Sequence, residues 1–205
     1  MMLAMLFVVS ATINLVSAQP MTLAVDPAYK EIQEEDIGKT FTVNVTISNA
    51  PADPGVAGIQ FILEWNSSVV KGVNIELPTG HFMTPDGDTA NLWIIWLSAY
   101  DGYAEYGVTY YDMNRSIEMG YVPKSGGGVL ATITFNSTAA GTTTLSFTEV
   151  VIGDAEGNSL DFTTESGTIV VIPEFPAFLL LPVFMIATLV AIIITKRTWL
   201  RNTRC

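Results

Sequence analysis

Closely spaced oxygen donors near the end of the chain are the first candidates for chemistry. Asp154, Glu156 and Asn158 stand at alternate positions, with Asp161 and Glu165 after them. Calcium takes about six to eight oxygen ligands, and a loop of carboxylates is a ready source. Counted from Asp154, Glu165 falls where an EF-hand loop carries its last ligand, but Gly157 comes two positions before the glycine such a loop needs. Two readings stand: a structural calcium ion on Asp154, Glu156 and Asn158, or a hairpin turn whose Asp and Asn side chains bond their own backbone. Asp86 and Asp88 raise the same question with fewer donors.

A second cluster is aromatic. Trp93, Trp96, Tyr100, Tyr103, Tyr106, Tyr110 and Tyr111 crowd one stretch. Planar rings stack on sugar faces when exposed and fill a core when buried. Trp93 and Trp96 lie in the apolar run LWIIWL and are expected in the core. Tyr103, Tyr106 and Tyr111, interleaved with Asp101, Glu105 and Asp112, are the candidate carbohydrate-binding set.

Catalytic groups are sparse. His81 is the only histidine, Cys205 the only cysteine, and no serine stands in a Gly-x-Ser-x-Gly context. Acids are plentiful, yet no spacing singles out a pair for glycoside hydrolysis. No catalytic residue is assigned, His81 is expected to be a bystander, and the chain is expected not to be an enzyme.

The elements that hold these residues read as strands. In TFTVNVTISN (residues 40–49), Phe41, Val43, Val45 and Ile47 alternate with polar residues, the period of a half-buried strand. Ile59, Phe61, Leu63 and Trp65 repeat it, with Ile62 breaking the polar face. Val129, Ala131, Ile133 and Phe135 follow the pattern, as do Thr143, Leu145 and Phe147. LWIIWL, apolar on both faces, reads as a strand covered on both sides. Turn signals separate these runs: Asp53-Pro54-Gly55, Pro85-Asp86-Gly87-Asp88, Asp101-Gly102, Ser125-Gly126-Gly127-Gly128 and Glu156-Gly157-Asn158. Short strands so spaced, without a long helical period, predict an antiparallel β-sandwich or jelly roll over residues 19–172.

The two ends differ. Residues 1–18 carry a short apolar run and Val16-Ser17-Ala18, the pattern of a signal peptide cleaved after Ala18. Residues 173–195 read as a short stalk and a transmembrane helix, because FPAFLLLPVFMIATLVAIIIT carries no charge and spans about 32 Å. Residues 196–205 form a basic tail with Lys196, Arg197, Arg201 and Arg204, so a single-pass cell-membrane protein is expected, sandwich outside and C-terminus cytoplasmic. Between Gln19 and Ile172, 19 acidic residues face five basic ones, a balance of −14, which argues against nucleic acid. The same part holds four sequons, at Asn44, Asn66, Asn114 and Asn136, as candidate glycosylation sites.

Three segments in order resemble the cohesin domain: VAGIQFILEWNSSVVKGV (residues 56–73), GGVLATITFNSTAAGTTTLSF (residues 127–147) and VVIGDAEGNSLDFTTESGTIVV (residues 150–171). The resemblance covers most of residues 21–172, and the stretch around residues 82–123 departs from it. It implies a nine-stranded jelly-roll sandwich, akin in fold to carbohydrate-binding modules, that captures calcium-folded dockerin modules and so gathers polysaccharide-degrading enzymes. Pro173-Glu174-Phe175, the apolar span and the basic end also resemble a PEF-type archaeal sorting signal, which implies either processing by an archaeosortase-type enzyme or a permanent helix. The function expected is non-catalytic binding, of a dockerin-type module or of extracellular polysaccharide. The alternatives are a direct carbohydrate-binding module and a structural envelope protein without a dedicated ligand.

Overall fold

The computed structural model describes residues 19–84, 89, 91–111, 123–173 and 177–202. Eleven strands and one long helix arise among them. The first half holds β1 (Thr22–Asp26), β2 (Tyr29–Ile32), β3 (Thr40–Ala50), β4 (Gly58–Glu64), β5 (Val70–Glu76) and β6 (Leu92–Ala99). The second holds β7 (Tyr103–Tyr110), β8 (Gly126–Ser137), β9 (Gly141–Gly153), β10 (Thr163–Glu165), β11 (Gly167–Val171) and α1 (Ala177–Asn202).

The strands form a five-stranded sheet, β10-β1-β3-β8-β5, and a six-stranded sheet, β2-β11-β9-β4-β7-β6. The jelly-roll sandwich expected from the sequence is thus present, with eleven strands among the described residues rather than nine. Nor is it wholly antiparallel: β1 pairs β10 and β2 pairs β11 in parallel. Each of these two chain segments switches from one sheet to the other partway, so both sheets gain a closing strand at the same edge of the sandwich.

Period-two alternation drives the packing. Val43, Val45 and Ile47 of β3 point inward beside Ile133 and Phe135 of β8, while Thr42 and Ser48 are exposed. The β8 pattern slips once. A register shift opposite Val45 and Thr46 inserts Leu130, which takes the buried place that strict alternation gave to Val129. Within the six-stranded sheet Phe61 stacks on Tyr106 at 4.7 Å and meets Phe147 edge-on at 5.5 Å, while Trp65 meets Phe135 of the other sheet edge-on at 4.9 Å. Burying each such side chain contributes about 1.5–3 kcal/mol. This core makes the outer faces of both sheets rigid platforms.

The expected membrane anchor is corrected. Among the described residues no helix is long and apolar enough to cross a membrane. Helix α1 carries Pro182 in its interior. With the span go the membrane as partner and the single-pass topology that placed the sandwich outside and the tail in the cytoplasm. The PEF-type sorting signal goes too, since it needs such a span: Pro173 is an exposed residue after β11, and Glu174 and Phe175 lie outside the described residues. The signal-peptide expectation, residues 1–18, also lies outside them.

Candidate binding face of the six-stranded sheet

Strand β6 is the edge of its sheet, paired on one side only, with β7. Its register follows from the core: Phe61 sits opposite Tyr106 and both point inward, so Gln60, Ile62, Gly107 and Glu105, their sequence neighbours, face out. Trp93 pairs with Thr109, Trp96 with Gly107 and Ser98 with Glu105, which carries them to the same outer face. A bulge between Ile94 and Trp96 adds Ile95 to the edge. Trp93 is 55% exposed and Trp96 45%, with Ile94 and Ile95 exposed beside them. The expectation that both tryptophans are core, in a strand covered on both sides, is therefore corrected: an edge strand has one neighbour, and nothing among the described residues covers its outer face.

Trp96 packs closely on the sheet because its partner is a glycine. A Cβ at Gly107 would stand 2.7 Å from the indole Cε3, closer than any side chain tolerates. The indole therefore packs closely against β7 at Gly107 while staying about half exposed. Beside it opens a cavity of about 90 Å³ spanning β9, β4, β7 and β6. Its walls are Gln60, Ile62, Trp96, Glu105 and Glu149, and its floor is the Phe61 and Tyr106 pair. Glu149 has φ 51°, where β9 slips against β4 between Gln60 and Ile62. Ile62 is one signal of this face in the sequence, an apolar residue on a strand face otherwise polar.

The three candidate tyrosines separate. Tyr103 and Tyr111 are exposed at opposite ends of β7, Tyr111 by 68%. Tyr103 stacks on Tyr100 at 4.8 Å, and Tyr111 meets Trp93 edge-on at 6.2 Å. Tyr106 is 0% exposed and belongs to the core, because it is three residues from Tyr103 and so faces the other way. Its Oη lies 2.7 Å from His81 Nε2. His81 is no bystander. The Met83 backbone N–H donates to His81 Nδ1 at 3.2 Å, so Nε2 carries the proton and donates to Tyr106. Burial pushes the imidazole pKa down to about 4, opposed by a backbone hydrogen bond with Leu130. The same burial pushes the Tyr106 phenol far up.

The Asp154 loop is a turn. Asp154 Oδ1 accepts from the backbone N–H of Glu156 at 2.9 Å and of Asn158 at 2.8 Å, and Oδ2 accepts from Asn158 Nδ2 at 2.9 Å. The Asn158 side chain, followed by the backbone donors, holds the carboxyl below its ordinary pKa. Both carboxylate oxygens are thus engaged within the turn, and Asn158 presents its amide nitrogen there, which no cation accepts. No group of three His, Cys, Asp or Glu among the described residues could hold a metal ion. The residues do not fit calcium. Asp86 and Asp88 lie outside the described residues.

Of the sequons, Asn66 is exposed, its Oδ1 accepting from the Ser68 N–H and hydroxyl at 3.0 and 2.7 Å. Asn44 is half-buried on the outer face of the five-stranded sheet and accepts from Thr132 Oγ1 at 3.0 Å. Asn136 is half-buried with its Oδ1 enclosed and without a partner. Asn114 lies outside the described residues.

Comparison with known proteins places this geometry. The model of one family, described as the cohesin domain, matches residues 30–171. A non-cellulosomal cohesin from the hyperthermophilic archaeon Archaeoglobus fulgidus is 20% identical over 78% of this chain and 96% of its own, with a TM-score of 0.55. The solution structure of CaCohA2 from Clostridium acetobutylicum is 20% identical with the same coverage and a TM-score of 0.57. The third ScaC cohesin of Acetivibrio cellulolyticus, solved in complex with the ScaB dockerin, is 14% identical over 75% of this chain and 99% of its own, with a TM-score of 0.57. At these identities the structures establish a shared fold. Among curated proteins none matches.

Proposed function

This chain belongs to the cohesin-domain family, and from that premise we propose that it captures a dockerin-type protein module on the outer face of its six-stranded sheet, at the β6 edge. The module is a non-catalytic binder. The observation that carries the choice of face is the pair of exposed tryptophans on β6, Trp93 and Trp96, set on the outer face of the sheet with Ile95 at the bulge between them. Contiguous exposed apolar surface with a polar rim marks a protein contact, and aromatic residues supply most of the binding energy in such contacts. The outer face of the five-stranded sheet offers Thr42, Asn44, Thr46, Thr132 and Thr134 instead, a wet surface already cross-bonded.

Calorimetric titration of the full-length chain against a panel of dockerin modules tests the proposal. Binding in calcium that vanishes on chelation is expected, because the dockerins implied by the resemblance fold around calcium. Replacing Trp93 and Trp96 by alanine is expected to weaken binding by about a hundredfold. Failure of every dockerin type, or full affinity in the double variant, overturns it.

The carbohydrate reading is supported by the two exposed ring pairs, Tyr100 with Tyr103 and Trp93 with Tyr111, without Tyr106. Its test is affinity electrophoresis in soluble polysaccharides, with Tyr103→Ala and Tyr111→Ala as variants. Retardation lost in those variants supports it, and no retardation removes it.

A further inference from the structure

We propose that the cavity between Trp96, Gln60, Ile62, Glu105 and Glu149 is a specificity pocket that takes one lysine or arginine side chain of the docked partner; this rests on the docking face assigned above.

The walls suit a cation on an alkyl stem. A half-exposed indole in the cavity wall attracts an ammonium or guanidinium through its ring quadrupole. Trp96 is held in that pose by the missing Cβ of Gly107. Glu105 comes from β7 and Glu149 from β9, so two carboxylates approach from different strands. The bulge at Glu149 turns a residue that would otherwise continue the strand, which is how bulges re-aim side chains. Ile62 offers an apolar wall for the methylenes of the stem, and Gln60 adds an amide oxygen.

Both carboxylates are free to receive that charge. Among the described residues the ion pairs are Lys39 with Asp36 and Lys71 with Asp101, and none involves Glu105 or Glu149. None of the described lysines lines the cavity. Across residues 19–172 acids outnumber bases 19 to five, so a basic partner is also drawn in at long range. A cavity of about 90 Å³ holds roughly three waters, enough for the end of a lysine and too little for a pyranose ring. A bare divalent ion fits poorly, since it needs about six or more oxygens and one wall here is an indole.

The test is a ¹⁵N-resolved NMR titration of the full-length chain with acetyl-lysine methylamide, acetyl-arginine methylamide and uncharged acetyl-norleucine methylamide. The two cations are expected to shift the Trp96 indole N–H and the Gln60 and Glu105 amides, and to bind about fivefold or more tighter than norleucine. Raising the salt is expected to narrow the gap, and Glu105→Gln with Glu149→Gln to close it to within about twofold. Equal shifts from norleucine, shifts elsewhere on the protein, or no shifts with any probe overturn the pocket. Dockerin titrations run in parallel keep the two proposals apart. Cation preference without dockerin binding overturns only the docking partner, whereas dockerin binding unchanged in the double Gln variant overturns only the pocket.

Discussion

Stability at mildly acidic pH is expected to hinge on His81, and the size of the effect follows from its surroundings. The ring is buried, Nδ1 accepts from the Met83 N–H and Nε2 donates to Tyr106. A second proton would have to enter at Nδ1, ejecting the Met83 N–H and placing a charge in the core. The unfolded chain takes up that proton near pH 6.5 and the folded one only near pH 4. Between these values the unfolded state binds more protons, so folding stability is complete above pH 6.5 and falls as the pH drops. Each unit of separation is worth about 1.4 kcal/mol, so about 2.5 kcal/mol is lost between pH 7.5 and pH 4.5. The assay is urea unfolding of the wild type and His81→Gln across that range. The carboxylates are common to both proteins, so the difference between the two slopes isolates His81. The variant is expected to be less stable at pH 7.5, by about 1–3 kcal/mol, and much flatter towards acid. Because this is the only histidine, its Cε1–H resonance gives a direct check. Parallel curves for the two proteins, or a midpoint near 6.5 in the folded state, would refute the argument.

Other substitutions separate the core from the binding face. Tyr106→Phe removes the phenol oxygen bonded to His81 Nε2 and is expected to cost about 1–3 kcal/mol in urea unfolding. Gly107→Ala forces a methyl into the indole of Trp96 and is expected to weaken dockerin binding about tenfold, with unfolding changed far less than binding. Asp154→Ala is expected to lower the melting temperature equally in calcium and in chelator, since the carboxylate serves the turn. In the wild type that carboxylate's contribution is present above its ordinary pKa and is lost as pH falls through its depressed one. A calcium-dependent melting shift in the wild type would overturn the turn assignment.

Much of the sandwich was legible because one face of most strands is dry. Val43, Val45 and Ile47 against Thr42 and Ser48 allow only one orientation of β3, and the structure adopts it. What alternation could not carry was pairing. The sheet switches between β1 and β2 and between β10 and β11 depend on which strands lie alongside, and no local pattern records that. The helical segment shows the converse error. A charge-free run has the composition of a span, yet the described helix is not long and apolar enough to be one.

The site was misread for a related reason. An apolar run that is covered on both sides and one that lies uncovered at a sheet edge share the same composition, so LWIIWL was assigned to the core while it stands at the rim. Parity alone could have corrected the tyrosines: Tyr103 and Tyr106, three apart on one strand, cannot share a face. Gly107 held the remaining information, since a glycine inside a strand marks a place where something approaches closely, and here it is the Trp96 ring. An exposed uncharged edge strand is a liability that folded proteins usually blunt with charge or cover. β6 carries neither a charge nor a described cover, while Glu105 and Glu149 stand outside any ion pair among the described residues, one and three strands inward. A partner that completes the edge would cover that liability, and on the pocket proposed above it brings a positive charge.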